Sequence, residues 1–190
     1  MIFRLIALWG IIAENGWSGN IMRGEVFWGI VEKCWVLNAW CDILKKEYIR
    51  INESCKDWED AIRHAGNILL EKGIVTQEYI DSVIKSVKLF GPYVVVAKGI
   101  AIPHCLGSMG VNENAITLMT LKNPVNFGNP KNDPVYYVIL FANTDFDSHI
   151  EALSAVSELL QKPEFFEVMK TALKPQDIID YIDKEEIKNA

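Results

Sequence analysis

The chain has 190 residues, half of them apolar and 23% charged, a composition that excludes a disordered or collagen-like protein and suits one compact domain with an appendage. Its formal charge is −6 and its only basic pair is Lys45-Lys46, so little is available to neutralise a phosphate backbone, and nucleic acid is not an expected partner. The four cysteines, Cys34, Cys41, Cys55 and Cys105, form no C-x-x-C pair and have only three histidines to complete a metal site, which argues against structural zinc.

Residues 1–42 differ from the rest. The first 40 hold five of the six tryptophans, carry three basic against three acidic residues, and are interrupted by glycines at 10, 16, 19, 24 and 29. The apolar run from Leu5 to Ala13 is too short for a bilayer, and Glu14-Asn15-Gly16-Trp17 follows it instead of a small-residue cleavage site. The segment reads either as an extension laid on the domain or as a Trp-rich docking arm, and no chemistry is visible in it. Cys34 and Cys41, seven apart, could share one side of a helix; reduced thiols are the expected state in a cytosolic protein.

From Asp57 the patterns become legible. Asp57 can cap a helix whose apolar positions Trp58, Ala61, Ile62, Ala65, Ile68 and Leu69 recur at three- and four-residue steps and which ends before Gly73. Thr76 opens a second helix with Tyr79, Ile80, Val83, Ile84 and Val87 as its buried stripe, and Gly91-Pro92 stop it. Tyr93–Ala97, a Lys98-Gly99 turn and Ile100–His104 read as strand, turn, strand. Ala115–Leu121 is a third apolar segment, Val125–Phe127 a short edge piece, and Val135–Ala142 a strand apolar enough to be buried on both faces. Three helices follow, Ser148–Leu160, Glu164–Leu173 and Pro175–Lys184. The class this predicts is α/β, a small mixed sheet flanked by helices on both sides.

His104 follows a proline and sits where a strand gives way to Cys105-Leu106-Gly107-Ser108; strand ends in α/β proteins collect ligands and catalytic groups. His149 lies in Asp147-Ser148-His149-Ile150-Glu151, where Ser148 and Glu151 have the spacing of a capping box. That spacing predicts His149 at the first helical position, where the helix N-terminus favours a neutral ring and free amides attract phosphate. Either histidine could instead be a structural or solvent-facing residue. His64 falls at the flank of the first apolar stripe and is assigned no role. Cys105 does not pair with His104 as nucleophile and base, since neighbours on an extended chain point to opposite sides. No P-loop, dinucleotide fingerprint or H-E-x-x-H is present.

These motifs, namely Trp58 with Ala61-Ile62 and Gly66, Tyr79-Ile80, Gly91-Pro92-Tyr93, Gly99–His104, Pro124–Gly128, Asn132–Val135 and Asp147-Ser148-His149, resemble in order the enzyme IIA domains of the mannitol–fructose class of sugar phosphotransferase systems. The resemblance covers about three-quarters of the chain, so residues 43–190 are expected to form a phosphotransferase enzyme IIA type 2 domain behind the 1–42 extension. It implies that His104 accepts a phosphoryl group from the small carrier HPr and passes it to a cysteine of enzyme IIB, with His149 binding the phosphoryl group in support. The implied protein is a cytoplasmic transferase that needs no cofactor and no metal and meets the membrane only through the IIC transporter. The mannitol-type arginine of the second helix is replaced by Ser86, which favours the ascorbate-like branch, and the usual small residue and arginine after the Pro-His motif are Cys105 and Leu106. The rival expectation is a regulatory module that uses the same histidine as a phosphorylation-sensing switch. The oligomeric state is left open.

Overall fold

The structure, a computed structural model, describes residues 43–105 and 109–189. The Trp-rich segment 1–42, the Cys34–Cys41 pair and Leu106 lie outside the described residues. A single 3-10 turn, Lys46–Tyr48, leads into strand β1, Ile49–Glu53. Helix α1, Trp58–Leu70, starts where the Asp57 carboxylate accepts the Asp60 amide at 2.9 Å while the Asp60 carboxylate reaches back to the Lys56 amide at 2.9 Å. It ends on Gly73, with the Gly73 amide on the Leu70 carbonyl and the Ile74 amide on that of Leu69, both at 3.0 Å, which satisfies carbonyls the helix itself leaves free.

Helix α2, Gln77–Phe90, follows with Thr76 as its N-cap residue, although the threonine side chain makes no capping bond. Its stripe of Tyr79, Ile80, Val83, Ile84 and Val87 is buried as the periodicity predicts, and Gly91, at φ +79°, stops it. α1 and α2 approach closely at Gly66, where an added Cβ would lie 2.7 Å from Ile80 Cγ1. Strands β2, Val95–Ala97, and β3, Ile100–Ala101, flank a turn at Gly99, whose φ of +76° is costly for a residue with a side chain. β4, Ala115–Val125, runs as one strand where the sequence suggests a strand and a separate edge piece. Its register shifts between Thr120 and Val125, and that irregular stretch accommodates Pro124, which has no N–H for the ladder. Strand β5, Val135–Ala142, has the predicted limits.

The sheet order is β1-β4-β5-β3-β2. β1 runs parallel to β4, β4 antiparallel to β5, β5 parallel to β3 and β3 antiparallel to β2, so the sheet is mixed. Helices α3, Phe146–Leu159, α4, Pro163–Thr171, and α5, Pro175–Asn189, complete the described chain. Because side chains alternate across a strand, β4 sends Ala115, Met119 and Leu121 into the core with α1 and α2, and Ile116 and Leu118 into the core with α3, α4 and α5. The expected α/β class, a small mixed sheet with helices on both sides, is the observed one.

Candidate functional site

β3 and β5 are parallel neighbours, Ile100 opposite Tyr137 and Ala101 opposite Val138, so both strands end at the same edge of the sheet. His104 leaves the end of β3; Asn143 and the start of α3 leave the end of β5. The shared edge brings His104 and His149 together with ring centroids 5.2 Å apart, although 44 residues separate them in the chain. The Phe141 ring lies 6.4 Å from each and forms an apolar floor.

His104 is 8% exposed. Its Nδ1 lies 2.8 Å from the Ile102 carbonyl, and because a carbonyl can only accept, Nδ1 carries the proton and Nε2 keeps the lone pair. Burial holds the His104 pKa below the ordinary imidazole value, and the Ile102 hydrogen bond opposes this only in part. The Tyr93 hydroxyl donates to the His104 carbonyl at 3.0 Å, and its ring meets the imidazole edge-on at 5.7 Å. Cys105 is half-buried, with its thiol pushed up to about 11 by burial, so it is a protonated, unreactive neighbour at neutral pH.

His149 does not sit at the first helical position. The N-cap is Asp145, whose carboxylate accepts the Ser148 amide at 2.8 Å, and α3 begins at Phe146, which makes His149 the fourth helical residue. Its own amide is already bonded to the Asp145 carbonyl at 3.3 Å, and the predicted Ser148–Glu151 capping box is absent. Both Asp145 and Ser148 are capping types three residues from a plausible partner; the acid wins because the strand ends at Ala142 and lets the helix start earlier. Burial lowers the His149 pKa, with the neighbouring His104 adding to the effect. The Asn143 side-chain N–H₂ donates to the Ser148 carbonyl at 3.3 Å, which turns Asn143 Oδ1 toward His149 Nδ1, 3.4 Å away. This arrangement places the His149 proton on Nδ1 and leaves Nε2 free.

Both rings are therefore neutral at pH 7, each with one unprotonated nitrogen. Among the described residues no lysine or arginine contributes to either pKa shift. The Ser86 side chain lies beside the Tyr93 hydroxyl, where it partly offsets the burial that raises the phenol. His64 stands apart, its side chain 39% exposed between Glu53 and Asp60 on the α1 surface. Among the described residues no group of three or more His, Cys, Asp or Glu could hold a metal ion, and no helix is long and apolar enough to cross a membrane. Tyr79, Tyr93 and Asn143 also reach this sheet edge with no sign in the sequence: a tyrosine on a helical stripe or in a Gly-Pro-Tyr turn carries no local mark of a partner 11 or 62 residues away.

A neutral imidazole with Nε2 unprotonated thus stands at a strand end beside a second histidine on an α/β scaffold. The family described as "Phosphoenolpyruvate-dependent sugar phosphotransferase system, EIIA 2" matches residues 42–185, and the chain belongs to this family. It is 29% identical to an "Ascorbate-specific PTS system EIIA component" of Escherichia coli strain K12 over 143 residues, covering 75% of this chain and 93% of that one. The solution structure of the mannitol-specific cryptic phosphotransferase enzyme IIA CmtB from Escherichia coli superimposes with a TM-score of 0.66 at 33% identity, over 74% of this chain and 95% of the other. The same fold recurs at 22% identity and a TM-score of 0.65 in the Escherichia coli complex of enzyme IIAMTL with phosphorylated enzyme IIBMTL, over 74% of this chain and 98% of that one. As an EIIA protein, the chain is a phosphotransferase component of sugar transport.

Proposed function

We propose that this chain takes a phosphoryl group from phosphorylated HPr onto Nε2 of His104 and delivers it to a cysteine of an enzyme IIB, within a system for ascorbate or a similar acidic sugar. The observation that carries the reading is the His104 ring itself: Nδ1 is engaged by the Ile102 carbonyl at 2.8 Å, so Nε2 presents its lone pair beside His149. In the transfer an N–P bond forms at Nε2 as the donor's N–P bond breaks, and the Nδ1 proton stays on Nδ1, donated to the Ile102 carbonyl, throughout. Phosphoryl transfer depends mostly on positioning and on stabilising charge at the equatorial oxygens, and a buried neutral imidazole needs no metal to act as nucleophile.

His149 binds the phosphoryl oxygens. Nε2 of its neutral ring has no proton to donate, so this role requires His149 to take one up as the phosphoryl charge arrives. Exposed apolar side chains flank the pair: Phe90, in edge contact with Tyr93, and Phe146 and Ile150 on the first turns of α3. Such a rim suits transient docking of protein partners. The reading is supported further by the curated relative named for ascorbate and by the fold neighbour solved with a phosphorylated IIB. Residues 43–190 form the carrier domain, 1–42 are an extension to it, and the protein works in the cytoplasm and reaches the membrane through its partners.

The test is incubation with labelled phospho-HPr. One acid-labile, base-stable phosphoryl group is expected, and label retained in His104→Ala would sink the assignment. Onward transfer to a IIB cysteine separates the relay from a regulatory module, which would hold the label.

A further inference from the structure

Two tyrosines converge on one peptide group. The Tyr93 hydroxyl donates to the carbonyl of His104 at 3.0 Å, and the Tyr79 hydroxyl lies by the backbone amide of Cys105, whose N–H partly offsets the burial that raises the phenol. These are the oxygen and the N–H of the same peptide unit, the one immediately after the nucleophile candidate. Tyr79 uses its own proton on the Phe141 carbonyl, so one hydroxyl bridges the ends of β3 and β5, and the Pro103 carbonyl accepts the Phe141 amide at 3.3 Å on the same seam. Tyr79 is 1% exposed, and the Ser86 side chain lies beside the Tyr93 hydroxyl. Both phenols are kept protonated, Tyr79 by a burial that raises it strongly and Tyr93 by one that raises it to about 12, so neither loses its donor near neutral pH.

We infer that Tyr79 and Tyr93 are positioning residues, whose hydroxyls clamp the His104–Cys105 peptide and thereby set the aim of the His104 imidazole. The inference rests on the reading of His104 as phosphoryl acceptor. The imidazole has two rotatable bonds from a backbone that is no longer in a strand: β3 ends at Ala101, and no ladder partner fixes residue 104. What fixes it is the Ile102 carbonyl on the ring and the two phenols on the following peptide. Loss of one phenol frees the backbone to tilt, loosens the Nδ1 contact with Ile102 and lets the ring sample the tautomer with its proton on Nε2, which cannot attack phosphorus. Displacements of this size cost transfer rates strongly because in-line attack tolerates little misplacement.

The experiment uses the full chain with Tyr93→Phe and Tyr79→Phe, each of which removes one hydroxyl and keeps the ring. Single-turnover uptake from phosphorylated HPr should show a maximal rate lowered about tenfold, the scale of one lost hydrogen bond, with the half-saturating HPr concentration unchanged because both variants keep the aromatic rings and the apolar rim. Nitrogen-15 spectra of the His104 ring should change from a single Nδ1–H tautomer to a mixture. Wild-type rates in both variants, or slowed uptake with unchanged ring signals, would overturn the clamp. Should Tyr79→Phe fail to fold, Tyr93→Phe carries the test. A wild-type chain that takes no phosphoryl group refutes the acceptor reading instead; the ring signals of Tyr93→Phe then still decide the clamp, mixed signals supporting it and unchanged ones overturning it.

Discussion

Replacing His149 by alanine should slow phosphoryl uptake at His104 and slow onward transfer more. The two ring centroids are 5.2 Å apart, and a phosphoryl group on His104 Nε2 would lie within that distance of the His149 ring. Two negative charges about 5 Å from an imidazolium are worth about 1.6 kcal/mol at the dielectric of water and about 6 kcal/mol at an effective value of 20. The half-buried site lies between these limits. Even the lower figure shifts the protonation of His149 by about tenfold, since 1.4 kcal/mol is a factor of ten. A ring held neutral before transfer by burial and by its neighbour therefore gains a proton as the charge arrives, and then donates from Nε2. Removing it should cost about 3 kcal/mol at the transition state, or about two orders of magnitude in rate, as for one lost preorganised donor. The assay is single-turnover transfer from HPr and then to IIB, with folding checked by thermal melt and the His149 ring titrated by NMR before and after phosphorylation. Unchanged rates in both steps, or a His149 that titrates identically in the two forms, would refute the argument.

Three further outcomes are expected. Gly66→Ala places a Cβ 2.7 Å from Ile80 Cγ1; overpacking of about 2 kcal/mol outweighs the roughly 1 kcal/mol gained in helix propensity, so thermal melts should show a small net loss of stability. His104 and His149 both have folded pKa values below that of the unfolded chain, so the unfolded state binds more protons: stability should be full above about pH 6.5 and fall as pH drops below it, and His104→Gln with His149→Gln should flatten that limb in urea titrations. A chain beginning at Cys41 should fold and accept label from HPr like the whole protein, since the family match begins at residue 42; failure to fold would make the extension part of the core.

Much of the scaffold is local and so was legible in the chain. Asp57, Gly73 and Gly91 bound the first two helices because capping carboxylates and left-handed glycines act within one turn. Val135–Ala142 reads as a buried strand because nothing polar interrupts it. β1 was missed: Ile49-Arg50-Ile51-Asn52-Glu53 is too polar and too short to announce itself, and becomes a strand only because β4 offers a parallel edge, with Ile49 opposite Leu118. β4 and the edge piece after it merged for the same reason, since pairing with β5 carries the strand past its irregular register to Val125.

The start of α3 shows where local reading fails. Asp145 and Ser148 are both good caps, and the choice between them is made by where β5 releases the chain. The family motif singled out His104 and His149, but their proximity is a fact of topology: two parallel strands end side by side, and the rings of residues 45 positions apart come to 5.2 Å between centroids. The tautomers are set by near neighbours in the chain, Ile102 and Asn143, but the burial that keeps both rings neutral and the two phenols at the His104–Cys105 peptide depend on groups further off in sequence. Residue type and spacing determined the helices and the candidate nucleophile, because caps and periodicity act over a few residues; the environment that makes an imidazole a phosphoryl acceptor is assembled by contacts across the sheet edge, and only the tertiary structure decided it.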